Sequence, residues 1–276
     1  MDLETGERIP DPFNPRTCPN GFGDTNQYFY MRDAAPSPLT RRQRGVPKGA
    51  LTRHELTTDE LLVGRRRTVN LYQPPTDERC PLLVVFDGQD YVRRGKLIQI
   101  VDNLIAQQRI RPIALALIYH GGKARLQEYA CIDATLGFLD YAVLPLARKQ
   151  LNLMDVGEAP GGYAVLGASM GGLMALYAGL CMPDIFGQVL SQSGAFRMFR
   201  YEMMVMDLVR YFPVQPMNIW MDVGRFEHLL TANRELHALL VDRGYRVSYR
   251  EYPGGHNYTS WRDDIWRGLE HLFGAA

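Results

Sequence analysis

This 276-residue sequence has almost no net charge and few cysteines. Because 31 lysine and arginine residues nearly balance 30 acidic residues, the net charge is +1, and the composition predicts no binding to nucleic acid or to a membrane surface. The few cysteines form no C-x-x-C pair, which argues against a zinc site and against a redox dithiol. They are Cys18, Cys80, Cys131 and Cys181. Free thiols are typical of a reducing compartment, so we expect a cytoplasmic protein.

Long apolar runs and metal-binding motifs are also missing. No run is long enough to span a bilayer, and the first residues lack the basic and apolar regions of a signal peptide. The histidines form neither an H-E-x-x-H motif nor a cluster, so we expect no metal and no other cofactor. The hydrophobic content of 46% is nevertheless sufficient for a large core.

The first 49 residues differ from the rest of the sequence. They contain seven of the 17 prolines, which interrupt helices and central strands. We therefore expect residues 1–49 to form an extended arm on the body of the protein, anchored by Tyr28, Phe29 and Tyr30, and residues 50–276 to form the main folded domain. For Arg41 to Arg44 we expect a solvated turn, with a ligand-facing role as the alternative.

From residue 50 the pattern becomes regular. Two alternating segments predict an antiparallel hairpin, and the later apolar runs are typical of strands covered on both faces. The predicted strands are 50–56, 66–72, 82–86, 113–118, 163–166, 188–191, 218–223 and 246–251. The predicted helices are 96–108, 136–150, 172–181, 232–242 and 261–273. This alternation predicts an α/β fold with an eight-stranded, mostly parallel sheet and helices on both faces.

A methionine-rich stretch, 196–217, follows the sixth predicted strand. One interpretation is a helix of the core. The other is an adaptable wall of a substrate site, because methionine side chains fit irregular hydrophobic groups.

A serine between glycines follows the fifth predicted strand. The sequence has only six serines, and Ser169 lies in the G-x-S-x-G motif of residues 167–171, between a strand pattern and a helix pattern. This is the context of a nucleophile elbow, where the serine hydroxyl is presented at the tip of a tight turn. The glycines allow that turn to form, since a Cβ at either position would crowd it. Ser169 is therefore the predicted nucleophile.

A serine nucleophile needs a base and a group that orients the base. His256 follows the last predicted strand on a flexible glycine pair, and we expect it to be the base. The acid lies in the loop after the seventh strand, where Glu227 is favoured over Asp222 because Glu227 comes after the glycine turn. Backbone N–H groups of Met170 and of Gln89, in the loop after the third strand, are the predicted oxyanion-hole donors.

Several segments carry a resemblance to a known family. They are Asp87-Gly88-Gln89-Asp90, Arg125 with Glu128-Tyr129, the elbow, Leu190 to Gly194, Gly224 with Glu227, and Gly254-Gly255-His256 followed by Trp261. From about residue 50 to 272 the chain resembles the enterochelin (siderophore) esterase-like branch of the Putative esterase family of α/β-hydrolases, related to esterase D and to feruloyl esterases. Residues 11–15 look like the linker that follows an N-terminal domain in siderophore esterases. Where relatives commonly have Asp-Trp after the histidine, this chain has Asn257-Tyr258.

The resemblance implies a serine carboxylic-ester hydrolase that forms an acyl-enzyme. The implied substrate is a siderophore or another small or aromatic ester. A feruloyl or acetyl esterase acting on sugar esters, an acyltransferase with the same triad and a non-catalytic binding protein are the alternatives. We expect Arg125, Tyr91 and Trp261 to contact substrate, although an ion pair between Arg125 and Glu128 is the structural interpretation. The expected partner is a small-molecule ester, with a homodimer as a further expectation.

Overall fold

The computed structural model describes residues 9–19, 25–32, 34–198 and 200–274. The strands are β1 (Thr17–Pro19), β2 (Thr25–Gln27), β3 (Ala50–Thr57), β4 (Arg66–Gln73), β5 (Leu82–Val85), β6 (Ala114–Ile118), β7 (Ala164–Ala168), β8 (Gln188–Gln192), β9 (Arg197–Met198), β10 (Tyr201–Glu202), β11 (Asn218–Gly224) and β12 (Arg246–Tyr252). The helices are α1 (Gly88–Arg93), α2 (Leu97–Ala106), α3 (Arg125–Glu128), α4 (Asp133–Phe138), α5 (Leu144–Gln150), α6 (Met170–Cys181), α7 (Met204–Tyr211), α8 (Leu230–Asp242) and α9 (Tyr258–Phe273). A π-helical segment, Leu139–Val143, joins α4 to α5.

Eight strands form the central sheet in the order β12-β11-β8-β7-β5-β6-β4-β3. Strand β4 pairs antiparallel with β3 and with β6, and the remaining neighbours are parallel. This mixed, mostly parallel sheet confirms the predicted fold class and the predicted entry hairpin. Because the carboxyl ends of the parallel strands share one edge, the loops after β5, β7, β8, β11 and β12 meet there.

Alternation along the central strands divides the core into two layers. In β5, Leu82 and Val84 pack on the same side as helices α4 to α8, whereas Leu83 and Val85 pack with α1, α2 and α9. Successive strand residues point to opposite faces, so a fully apolar strand must be covered on both sides. The apolar segments that were predicted to be buried strands therefore lie between two layers of helices.

The described part of the N-terminal segment touches the body at particular side chains. Leu39 is buried, and its carbonyl accepts a hydrogen bond from Asn103 Nδ2 at 2.8 Å. The Tyr30 hydroxyl donates to Asp263 Oδ2 at 2.7 Å. Phe29 is 70% exposed, so the expectation that this ring anchors the arm was wrong. The division of the chain at residue 49 stays a prediction, and residues 1–8, 20–24 and 33 of the expected arm lie outside the described residues.

The methionine-rich stretch contains the predicted helix, but only over its middle. Helix α7 buries Val205, Met206 and Val209 and packs on α6 and α8. Before it, β9 and β10 form a short antiparallel hairpin that sequence analysis did not predict, and Phe199 between them lies outside the described residues.

Across the described parts of the chain, we find no single helix that is both long and apolar enough to cross a membrane. The segments Gly122–Glu128 and Asp133–Gln150 reach that length only as a pair, and they meet at a bend of 109°.

Candidate active site

The turn between β7 and α6 presents Ser169 at the carboxyl edge of the sheet. Its backbone has a φ of 58° and a ψ of −122°, a conformation that a non-glycine residue adopts only when its surroundings impose it. The surroundings here are tight: a Cβ at Gly167 would lie 2.2 Å from the carbonyl carbon of Gly171. The sequence therefore has glycine where the two arms of the turn nearly touch, and the serine side chain points outward.

Ser169, His256 and Glu227 form a continuous hydrogen-bonded chain. His256 Nε2 lies 3.1 Å from Ser169 Oγ, and His256 Nδ1 lies 2.5 Å from Glu227 Oε2. The side chain of Glu227 is fully buried and that of His256 is 11% exposed. These three residues, predicted from three separate loops, are brought together in the order of nucleophile, base and acid.

Two loops cooperate to hold this arrangement. The loop after β11 donates from Arg225 N to the Tyr252 carbonyl at 2.9 Å and from Phe226 N to the Gly254 carbonyl at 3.0 Å. A Cβ at Gly224 would lie 2.3 Å from the Gly254 carbonyl oxygen, so glycine permits this close approach. The acid loop and the histidine loop are thereby joined backbone to backbone.

Asn257, which follows the histidine, stabilises the start of helix α9. Asn257 Oδ1 accepts from Ser260 N at 3.0 Å and caps helix α9. Asparagine and aspartate are nearly equivalent at such a position, so the difference from the Asp-Trp pattern leaves the helix start intact.

Glu227, and not Asp222, lies against the histidine. Glu227 Oε1 accepts from Gly224 N at 2.5 Å and from Ser193 Oγ at 2.6 Å, while Oε2 faces His256. Asp222 lies inside strand β11, fully buried, and accepts from Trp220 Nε1 at 2.9 Å. Burial, reinforced by the charge of Asp264, raises the pKa of Asp222 well above its ordinary value.

The two predicted oxyanion donors lie in the first turns of helices that follow neighbouring strands of the sheet. Met170 is the first residue of α6, and the leading N–H groups of a helix have no intrahelical acceptor. Gln89 lies at the start of α1, directly after β5, which pairs with β7. Its side-chain Oε1 accepts from His120 N at 3.1 Å, which fixes this loop to the end of β6.

Arg125 reaches the elbow through a different partner from the expected one. Its Nε and Nη2 donate to the two oxygens of Asp87, each at 2.6 Å, and Nη2 also lies 3.3 Å from the Ala168 carbonyl. Burial alone would lower the pKa of Arg125, but the Asp87 carboxylate raises it above its ordinary value, so the guanidinium stays charged. The ion pair expected between Arg125 and Glu128 was wrong, because Glu128 pairs with the buried Arg67.

Tyr91 and Trp261 are not placed at an open surface. Tyr91 is 1% exposed, and its hydroxyl donates to Gln192 Oε1 at 3.0 Å. Trp261 is 5% exposed, and its indole Nε1 donates to Ser193 Oγ at 2.9 Å. Their predicted contact with substrate is therefore corrected to packing beneath the site, since both lie on helices that turn these rings into the core.

Sequence reasoning did not find two residues beside the triad. The ring of His228 lies 5.3 Å from that of His256, and partial burial together with His256 lowers the pKa of His228. Ser193 touches Glu227 directly. Its only signal was membership of the Leu190 to Gly194 segment, whereas His228 had none beyond its place next to Glu227. Within the described ranges, no group of three or more His, Cys, Asp or Glu side chains could hold a metal.

The comparisons agree with this architecture. A model of the family described as "Putative esterase" matches residues 61–272. The chain is 30% identical over 210 residues to the Iron(III) enterobactin esterase of Dickeya dadantii, covering 70% of this chain and 47% of that protein. It is 28% identical over 275 residues to the Iron(III) enterobactin esterase of Escherichia coli K12, covering 97% of this chain and 68% of the relative.

A solved structure gives the same result. The enterobactin esterase of Shigella flexneri, crystallised in the presence of enterobactin, superposes with a TM-score of 0.81 at 26% identity, covering 95% of this chain and 69% of that one. The chain thus spans less than half of the Dickeya dadantii relative and about two thirds of the other two. With the family model matching most of its length, the chain belongs to the Putative esterase family of α/β-hydrolases, in its enterochelin esterase-like branch.

Proposed function

We propose that this chain is a serine carboxylic-ester hydrolase that forms an acyl-enzyme on Ser169. The observation that carries the proposal is the unbroken contact from Ser169 Oγ through the His256 ring to Glu227, at 3.1 and 2.5 Å. A serine hydroxyl is a weak nucleophile until a base within hydrogen-bond reach takes its proton. His256 is within that reach, and the buried Glu227 carboxylate orients its ring.

The reaction follows from these contacts. As Ser169 Oγ attacks the ester carbonyl carbon, His256 Nε2 accepts the hydroxyl proton. The negative charge that develops on the carbonyl oxygen is stabilised by the N–H groups of Met170 and Gln89. Collapse of this intermediate breaks the ester C–O bond, and His256 returns the proton to the departing alcohol. Water then attacks the acyl-enzyme with His256 again as the base, which releases the acid and restores Ser169.

We assign Arg125 a supporting role in the same site. Its bidentate contact neutralises the charge of Asp87. Asp87 directly precedes helix α1, which contains Gln89. An unpaired carboxylate at this position would oppose negative charge developing on the substrate oxygen.

For the substrate, we propose a siderophore ester. The support comes from the relatives, since the Escherichia coli and Dickeya dadantii proteins bear the name Iron(III) enterobactin esterase. The alignment with the Escherichia coli protein extends over nearly the whole of this chain. A small aromatic ester, a feruloyl sugar ester and transfer of the acyl group to an alcohol are the outcomes that the substrate test separates.

The decisive test compares the wild-type chain with Ser169→Ala. Wild type should hydrolyse p-nitrophenyl acetate or butyrate, and loss of the nucleophile should lower kcat on the order of a million-fold if the triad acts as a unit. Labelling by a fluorophosphonate should occur in wild type and vanish in the variant. Equal turnover of the two proteins would rule out the mechanism. A panel of enterobactin, feruloyl sugar esters and simple esters, with added alcohol, then identifies the substrate and any acyl transfer.

We further propose a cytoplasmic location, supported by four cysteines present as free thiols, three of them buried. Fractionation of the producing cell tests this placement. The homodimer stays a prediction, and sedimentation of the purified chain would test it.

A further inference from the structure

We propose that Ser193 and Trp261 form a positioning relay for Glu227, an inference that rests on the proposed esterase function. In this relay the indole N–H of Trp261 directs the Ser193 hydroxyl, and the hydroxyl in turn holds one oxygen of the triad acid. The other oxygen is left to face His256. Ser193 touches none of the reacting atoms and acts through Glu227. The ring of Trp261 also packs against that of His256, at 5.0 Å between centroids, and its N–H acts on Glu227 through Ser193.

The backbone places Ser193 for this task. It follows β8 with a φ of 47°, in the left-handed region that non-glycine residues rarely adopt. Its N–H donates to the Asp222 carbonyl at 2.6 Å, and the residue is fully buried. A strained, buried serine is retained only where the surrounding structure imposes it, and strain of this kind clusters at functional sites. Here the strain turns the hydroxyl toward the loop that carries Glu227.

The direction of the two side-chain hydrogen bonds is determined by chemistry. An indole nitrogen can only donate, so Trp261 Nε1 must occupy a lone pair of Ser193 Oγ, at 2.9 Å. The hydroxyl proton then remains for the Glu227 Oε1 acceptor at 2.6 Å. Tryptophan thus specifies which way the serine hydroxyl points.

This relay completes the coordination of the carboxylate. Glu227 Oε1 receives Gly224 N and Ser193 Oγ, and Oε2 receives His256 Nδ1. A glutamate side chain has one more rotatable bond than aspartate and loses more freedom when it is fixed. With the side chain fully buried, a donor on Oε1 restricts that freedom and keeps Oε2 turned toward His256.

The test uses the purified 276-residue chain, an activated ester and two substitutions of Ser193. Ser193→Ala and Ser193→Gly both remove the hydroxyl, but glycine also suits the positive φ. Both should lower kcat by about tenfold to a hundredfold with KM unchanged, since a hydrogen bond to a charged group is lost. Trp261→Phe keeps a ring against His256 and should give a smaller loss. Ser191→Ala is the matched control: it removes a fully buried serine hydroxyl that contacts Gly172 O and not Glu227, and kcat should stay within about twofold.

A double-mutant cycle distinguishes positioning from packing. In a Glu227→Ala background, Ser193→Ala should lower kcat by no more than about twofold further, because nothing remains for the hydroxyl to hold. An undiminished loss in that background would overturn the inference, as would wild-type kcat in both Ser193 variants. If the wild-type chain itself fails to hydrolyse esters, the proposed function fails instead. The two failures are therefore distinguishable.

Discussion

Asp222 lies in strand β11 and Glu227 in the loop that follows it, and the two acids occupy different chemical environments. Asp222 is inside β11, where the indole of Trp220 and the amide of Gln192 are its hydrogen-bond donors. Glu227 follows the glycine turn, where a backbone N–H, a hydroxyl and an imidazole surround it. Burial beside the charge of Asp264 raises the pKa of Asp222 and favours its neutral form, whereas the contact of Glu227 with the imidazole suits it to orient His256. Two acids close in sequence thus differ in role because of what the fold places around each one.

Among substitutions at these two acids, removal of Glu227 should lower kcat the most. Glu227→Ala leaves His256 without its orienting partner, and kcat should fall on the order of 10⁴-fold, as for other triads that lose their acid. Steady-state kinetics on an activated ester measures this. Asp222→Asn, which keeps the shape of the neutral acid, is the matched control. A larger kcat loss in the Asp222 variant than in the Glu227 variant would reverse the two roles.

Shortening the acid should have an intermediate effect. Glu227→Asp keeps the charge but withdraws the carboxylate from both His256 and Ser193. Because a displacement of about 1 Å in a catalytic group can cost about a hundredfold, kcat should fall by about that factor with little change in KM. Full activity in this variant would contradict a requirement for a side chain of glutamate length beside His256.

Asp222→Asn should have the smallest effect on activity and a distinct effect on stability. The folded pKa of Asp222 is raised, so its burial is tolerated best below the ordinary aspartate pKa of about 4 and becomes costly as pH rises toward the folded pKa. The Tm of the asparagine variant relative to wild type should therefore increase from about pH 5 to about pH 8. A difference in Tm that is constant with pH would show that Asp222 carries a charge in the folded chain throughout this range.

Much of the fold could be predicted because its signals are local. Fully apolar runs identified the central strands, and the helix boundaries differed by a few residues, as for α6, which begins at Met170 and not at Gly172. The short helices α1 and α3 and the hairpin of β9 and β10 were missed, because segments of two to six residues carry too little periodicity.

Within the site, local and tertiary information separate cleanly. The elbow, the histidine loop and the chain order of the three triad residues could be predicted from short segments, since a strained turn requires glycine and a glycine-containing loop follows the last strand. Which carboxylate faces His256, which anion pairs with Arg125, and whether Tyr91 and Trp261 face solvent or core depend on residues remote in sequence. Those contacts exist only after strands and helices pack, because a side chain's partners are determined by the elements that surround it in space.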